Sequence, residues 1–236
     1  MDVTVPTGTV YGGTTSKPSG GHTNASYVKY VASDAHSGVA NCYVRKPGTT
    51  SYTAYTSGSQ LTTEGTYYFY CVDKAWNQSS TSTITLDKSL PWGTLYGGAI
   101  SKSSGSYTNA DYIKYTASDS WSGVSTLYVK MPNTSLYTTY SNGTQLATEG
   151  TYSFYCVDKA GNQSSIVTIT LDKTKPTGRI TGDGNNISQY TKASYIKFIA
   201  SDSNSGVANC YVKKPNSSSY VAYTSGTELT AEGSYS

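Results

Sequence analysis

A chain of 236 residues carries 17 Lys and Arg against 14 Asp and Glu, so its net charge is only +3. Charged residues make up 13% of the chain, well below the typical quarter, and no stretch concentrates the basic ones. Nucleic acid is therefore not an expected partner, because phosphate binding needs a basic stripe. No run of about 18 apolar residues occurs, so we expect no membrane span in this segment. The 24 tyrosines, with abundant Ser, Thr and Gly, favour strands and turns.

The chain repeats itself with a period of 85 residues. Pro6, Pro91 and Pro176 are each 85 residues apart, and the stretch 64–80 returns almost unchanged as 149–165. A period this long, with a strand pattern throughout, indicates tandem β-domains rather than a solenoid of short units. We therefore predict three domains, at residues 1–90, 91–175 and 176–236.

Each complete repeat is predicted to contain seven short strands. In the second of them Val28, Tyr30 and Ala32 stay apolar in all three copies, whereas Lys29 between them stays Lys, so the first set should face the core. Seven short strands in about 85 residues are typical of a Greek-key β-sandwich. In the first repeat the predicted strands cover residues 8–11, 27–32, 39–46, 51–56, a short stretch near 60–61, the Tyr-rich stretch that begins at 64, and 83–86.

Three motifs recur in a fixed order in each complete repeat. They are Asp-x-x-Ser-Gly-Val at 34–39, Glu-Gly-Thr-Tyr at 64–67 and, in the second copy, Val-Asp-Lys-Ala-Gly-Asn at 157–162. In this order they resemble bacterial immunoglobulin-like repeats of cell-surface proteins, including the hyalin-repeat-like group. The resemblance covers the whole chain and implies tandem immunoglobulin-like Greek-key sandwiches, which serve mainly as stalks and adhesive arms.

The connections between repeats are short. Only residues 87–92, which include Pro91, separate the last predicted strand of the first repeat from the next strand, so bending should be limited. We expect the sandwiches to lie end to end as a semi-rigid rod. The third repeat lacks its sixth and seventh strands (F and G), and we expect the chain to be an excerpt of a longer protein.

The cysteines follow from the implied fold. Cys42 and Cys71 would lie on neighbouring strands of one sheet, where a disulfide is expected; two buried free thiols are the alternative. Position 127, which corresponds to Cys42, is Leu, so Cys156 should be unpaired, and Cys210 has no counterpart of Cys71 within the chain.

Carboxylates should converge at the first joint. Asp119 and Asp158 end two strands and would face Asp87 of the connection, with Asn162 nearby. Such a set of oxygens could bind Ca²⁺. The alternative is that each side chain caps its own turn. No other cofactor is expected.

The aromatic residues allow two interpretations. Trp92 and Trp121 fall at the first joint, where they should pack and stiffen it. The more specific alternative is an exposed face that binds glycans or proteins. To this face we assign Tyr52, Tyr55, Trp76, Tyr137 and Tyr140. Ordinary cross-strand pairing would explain the same tyrosines.

These patterns predict a non-enzymatic protein, since no Ser-His-acid or paired-carboxylate arrangement recurs. We expect an extracellular stalk or adhesion module on a bacterial cell surface, with other repeats of the same protein as its partners. One alternative is a module that binds a host glycan or protein. The other is a virion or filament subunit that self-associates by completing its third repeat across chains.

Overall fold

The computed structural model describes residues 1–236 and contains 21 β-strands and no helix. The predicted all-β class is confirmed. The strands of the first 86 residues are β1 (Thr7–Gly12), β2 (Thr15–Lys17), β3 (Gly21–Thr23), β4 (Val28–Ser33), β5 (Val39–Arg45), β6 (Thr53–Tyr55), β7 (Gly65–Asp73) and β8 (Ser82–Leu86).

The same series returns in the second repeat and in part in the third. The second comprises β9 (Trp92–Gly97), β10 (Ile100–Lys102), β11 (Ser106–Thr108), β12 (Ile113–Ser118), β13 (Val124–Lys130), β14 (Tyr137–Tyr140), β15 (Gly150–Asp158) and β16 (Val167–Leu171). The third comprises β17 (Thr177–Gly182), β18 (Asn185–Ile187), β19 (Ile196–Ser201), β20 (Cys210–Val212) and β21 (Val221–Tyr223).

Each of the first two repeats folds into two sheets. In the first repeat the orders are β2-β1-β4 and β3-β8-β7-β5-β6, and the second repeat has the same orders, β10-β9-β12 and β11-β16-β15-β13-β14. The Tyr-rich strand β7 is central, and it pairs antiparallel with β5 on one side and β8 on the other. The third repeat has β18-β17-β19 and only the two-stranded β20-β21.

Two short strands were not predicted. β2 and β3 follow β1, and they belong to different sheets, because β2 pairs with β1 whereas β3 runs parallel to β8. Each is three residues long and largely polar, so neither shows the alternation by which strands are recognised. The short strand expected near residues 60–61 is a single bridge between Leu61 and Val28.

Stacked aromatic rings fill the space between the two sheets. Val28 and Tyr30 are fully buried, as the alternation predicts, and the rings of Tyr30 and Phe69 stack with centroids 5.1 Å apart. Gly8 lies under the Tyr30 ring, and a Cβ placed on Gly8 would be 1.9 Å from a ring carbon. The ring therefore packs directly on the backbone of the neighbouring strand in the same sheet, an approach that only glycine permits.

The third repeat has no counterparts of β7 and β8, and its core residues are more exposed as a result. Phe198 and Ile196 occupy the positions of Tyr30 and Val28, yet both are only half-buried. Two backbone hydrogen bonds join Ser236 to Lys213 just beyond β20, in the register that Tyr68 and Arg45 have in the first repeat. Without counterparts of β7 and β8 the core of this repeat stays open on one side.

Gly93→Ala tests the packing of a ring on the backbone. A Cβ on Gly93 would lie 2.1 Å from the ring of Tyr115, which is 1% exposed and cannot move aside. We expect a loss of about 1–3 kcal/mol in the free energy of unfolding, the usual cost of overpacking, measured by urea denaturation. Gly178→Ala is the matched control: its ring neighbour, Phe198, is half-buried and can shift, so the loss should be smaller. Equal losses would contradict this explanation.

Candidate functional site

The carboxylates expected at the first joint do converge. Asp87 follows β8, Asp119 follows β12 and Asp158 ends β15, and one carboxylate oxygen from each lies within 4.8 Å of the other two. Asp87 is 0% exposed and Asp158 is 2% exposed, while Asp119 is partly buried. The fold thus gathers three acids that are far apart in the sequence into one cluster, which we call the joint cluster.

Backbone amides hold these acids in position. Asp119 Oδ1 accepts hydrogen bonds from the amides of Trp121 (3.1 Å) and Gly123 (2.8 Å), which is the turn-capping role that was the alternative to metal binding. Asp158 Oδ1 accepts from the amide of Asn162 at 2.8 Å, and Asp87 Oδ2 accepts from the amide of Ser122 at 2.9 Å. The three carboxylates therefore accept hydrogen bonds from nearby backbone amides and also converge on one another.

Asn162 links two of the acids. Its side-chain nitrogen Nδ2 donates to Asp158 Oδ2 at 2.7 Å and to the backbone carbonyl of Asp87 at 2.9 Å. The amide thus bonds the second repeat to the connection that precedes it. In this structure Asn162 positions the acids, and its side-chain nitrogen has no lone pair to offer a metal ion.

A second acidic cluster repeats the arrangement near the start of the chain. Carboxylate oxygens of Asp2, Asp34 and Asp73 lie within 4.8 Å of one another, and Asn77 donates to Asp73 and to the carbonyl of Asp2. Here only Asp73 is fully buried. The side-chain hydrogen bond from Ser37 is the main cause that lowers the pKa of Asp2 to about 2.

The second joint has two of the three acids. Asp172 Oδ2 accepts from the amide of Ser205 at 3.0 Å, and Asp202 caps its own turn as Asp119 does. No strand of this repeat supplies a counterpart of Asp158. The pKa of Asp172 is lowered, mainly by the side-chain hydrogen bond from Ser205.

Both cysteines of the first repeat lie where the sequence places them. Cys42 on β5 is directly opposite Cys71 on β7, and both are buried free thiols in this structure. The amide of Cys71 donates to Ser79 rather than to β5, so the two face each other at a non-hydrogen-bonded position. There Cα atoms lie about 4.5 Å apart, within the range that disulfides span. The disulfide stays a prediction. In the other repeats Cys156 is buried opposite Leu127, and Cys210 is half-buried on β20.

Two tyrosines assigned to a ligand face belong to the core instead. Tyr55 and Tyr140 are each 8% exposed. The hydroxyl of Tyr55 donates to the carbonyl of Ser59 and accepts from the amide of Tyr30. That part of the prediction is wrong, because β6 and β14 turn their last residue inward.

The outer face of the larger sheet carries a different set of rings. Tyr43 and Tyr70 stack at 4.9 Å, Tyr52 packs edge-on against Tyr70 at 4.9 Å, and the guanidinium of Arg45 lies 3.7 Å from the centroid of Tyr68. The second repeat has the same ladder with Tyr128, Tyr155 and Tyr137. Sequence reasoning omitted Tyr43 and Tyr70, although their alternation with buried Cys42 and Cys71 was the available signal.

The tryptophans lie on exposed positions. A ring carbon of Trp121 is 3.3 Å from where a Cβ of Gly65 would be, so this side chain crosses from the second repeat to the first. Trp92 begins β9 and is 52% exposed. Trp76 is 82% exposed in the loop after β7 and adopts a φ of 70°. Its counterpart Gly161 lies beside Asn24 of the preceding repeat.

Comparison with known proteins finds similarity in structure but not in sequence. No protein-family model and no curated protein sequence matches the chain. Among solved structures, the chain is similar to fibronectin(III)-like modules of CbhA from Clostridium thermocellum, with 15% sequence identity and a TM-score of 0.30. The match covers 70% of this chain and 93% of that one. Separately, the structure has no helix long and apolar enough to cross a membrane.

Oxidation tests the cysteine pair. In an oxidising buffer we expect Cys42 and Cys71 to form a disulfide, so that thiol titration in denaturant finds two of the four thiols. Closing a loop of this length should add about 3–4 kcal/mol to the free energy of unfolding. Cys42→Leu, which copies Leu127, should abolish both effects. Four free thiols after oxidation would contradict the pairing.

The reduced chain should be sensitive to alkali. Burial, and after it the neighbouring Cys71, raises the pKa of Cys42 to about 11 from an ordinary value of 9.0. Because the folded state favours the neutral thiol, this contribution to stability is complete below pH 9 and is lost as the pH rises to 11. Urea denaturation across that window should show the decline, and Cys42→Leu should reduce it. An unchanged slope in the variant would assign the decline to other groups, such as the buried Tyr30, whose pKa burial also raises.

Proposed function

We propose that this chain is a non-enzymatic stalk segment of an extracellular bacterial surface protein, in which immunoglobulin-like sandwiches form a semi-rigid rod. The observation that carries the proposal is the connection at residues 87–91, which is hydrogen-bonded from both sides. A stalk must keep its modules extended. Because a rigid connection is already ordered, little conformational entropy is lost when the modules are pulled into line.

The first repeat fixes one side of this connection. The amide of Asp87 donates to the carbonyl of Thr23 at 2.9 Å, and Ser89 Oγ donates to Glu64 Oε2 at 3.1 Å. Lys88 is bonded through its amide to the same Glu64 carboxylate. These contacts make residues 87–89 a continuation of the first sandwich.

The second repeat fixes the other side. Ser122 and Asn162 bond the carboxylate and the carbonyl of Asp87, and the ring of Trp121 lies over Gly65. Contacts from two separate loops of the second repeat reach across, so rotation about the connection would break several of them at once. The second joint repeats the pattern with Glu149, Asp172 and Ser205, but it has Asn204 where the first has Trp121.

Trp121→Asn tests the stalk proposal, because it gives the first joint the residue of the second. We expect small-angle X-ray scattering of the full chain to show an elongated particle, and the variant to sample shorter end-to-end distances. Asn204→Trp is the reciprocal control and should extend the second joint. A compact scattering profile for the unmodified chain, with repeats folded back on one another, would contradict the proposal.

A second candidate function is the binding of a host glycan or protein. It is favoured by the ladder of Tyr43, Tyr70 and Tyr52 beside Arg45, since flat rings on a sheet bind ligands at low entropy cost. Tyr52→Ser should then abolish any signal on a glycan array. The variant Trp76→Gly, which copies Gly161, tests whether the exposed loop contributes to that signal. No signal from the unmodified chain on glycan arrays or host-protein arrays would count against this function.

Self-association is a third candidate, as in a virion or filament subunit. The open edge of β20 and the half-buried Phe198 favour it, because a strand from another chain would complete this sheet. Light scattering after size-exclusion chromatography at several concentrations separates it from the stalk. A stalk segment should remain a monomer of 25.1 kDa, whereas strand exchange would give dimers or longer species.

A further inference from the structure

The joint cluster contains more negative charge than its surroundings neutralise. Asp87 and Asp158 are buried, Asp119 lies within 4.8 Å of both, and no Lys or Arg forms an ion pair with any of them. The single such pair in the structure joins Lys197 to Glu228, in another repeat. Buried carboxylates are costly in low dielectric unless hydrogen bonds or a counter-charge stabilise them, and at the joint cluster only hydrogen bonds do so.

Two oxygen atoms at the cluster have no partner. Asp119 Oδ2 is inaccessible to solvent and accepts no hydrogen bond, although Oδ1 of the same carboxylate accepts two. Ser122 is 4% exposed, and its Oγ is also buried without a partner. The backbone amide of Ser122 donates to Asp87 Oδ2, so Ser122 lies next to the cluster. In the other two turns the equivalent serines, Ser37 and Ser205, donate to their own Asp.

We propose that Asp87, Asp119, Asp158 and Ser122 form a Ca²⁺ site at the joint. Calcium takes carboxylate and other oxygens at about 2.3–2.6 Å, so oxygens that share one ion lie no more than about 5 Å apart. The carboxylate spacing meets this limit. A bound cation supplies the missing counter-charge, and the free oxygens of Asp119 and Ser122 become ligands.

The ion would join the two repeats. Asp87 belongs to the connection that is bonded to the first sandwich, whereas Asp119, Ser122 and Asp158 belong to the second. Calcium would therefore make the rigidity of this joint depend on an external ion. The site rests on the residues of the joint and would stand even if the chain were not a stalk.

The decisive variant is Asp119→Asn. It retains an oxygen acceptor for the turn amides but removes one negative charge from the cluster. In EDTA we expect the variant to be at least as stable as the unmodified chain, because repulsion among the acids is reduced. In about 10 mM CaCl₂, above the ~10⁻⁴–10⁻³ M dissociation constants of extracellular calcium modules, the order should reverse. Thermal unfolding of the full chain measures both states.

Direct binding gives a second readout. Tb³⁺ is a luminescent substitute for Ca²⁺, and Trp121 lies two residues from Asp119, close enough to sensitise its emission. We expect Ca²⁺ to displace Tb³⁺, whereas Mg²⁺ at the same concentration should displace little. Asp119→Asn should weaken binding by about 10–100-fold or more. Ser122→Ala should weaken binding without changing stability in EDTA.

The matched control is Asp111→Asn, an exposed acid in the same repeat, which should leave calcium binding unchanged. Asp34→Asn identifies any Tb³⁺ or Ca²⁺ signal that comes from the more exposed cluster of Asp2, Asp34 and Asp73. The proposal is overturned if Asp119→Asn destabilises the chain equally in EDTA and in calcium, which would make Asp119 a turn cap only. It is also overturned if the unmodified chain shows no stabilisation by Ca²⁺.

Discussion

Each sandwich depends on one phenylalanine of the central strand, which packs between a tyrosine of the facing sheet and a tyrosine of its own sheet. Phe69 stacks on Tyr30 and meets Tyr55 edge-on, and Phe154 does the same with Tyr115 and Tyr140. The tyrosine ring is itself pressed against a glycine of the neighbouring strand. In the third repeat, which has no such phenylalanine, the facing ring is half-buried and the larger sheet shrinks to two short strands. One strand therefore supplies both the centre of a sheet and the centre of the core.

The same strand also reaches the joint. β15 buries Phe154 at its middle and ends at Asp158, whose carboxylate lies in the joint cluster. One strand thus carries a residue of the core and a residue of the joint, and it positions Asp158 to accept hydrogen bonds from Asn162. A site that lies on strand ends is held more precisely than one on free loops.

The proposed calcium site would link the rigidity of the joint to ion binding. Hydrogen bonds from Ser122 and Asn162 attach the second sandwich to Asp87, and they do so around carboxylates that repel one another. The neutral contacts close the joint, while repulsion among the carboxylates opposes closure, and a cation in the proposed calcium site would remove that repulsion. If the site binds calcium as proposed, the stiffness of this joint would depend on its ionic surroundings.

The sequence by itself determined the period, the all-β class and the buried faces of strands such as β4, because alternation and repetition are local properties that can be read without coordinates. The pairing of the strands that carry Cys42 and Cys71 was predicted from the fold that the family resemblance implies. The convergence of Asp87, Asp119 and Asp158 was also predictable once strand ends were placed. Only the tertiary structure decided that Tyr55 and Tyr140 are buried, that β2 and β3 exist, and that Asn162 serves as a donor. These features depend on which face of a short strand is buried and on which atoms of different strands come into contact. Neither can be read from a local sequence pattern.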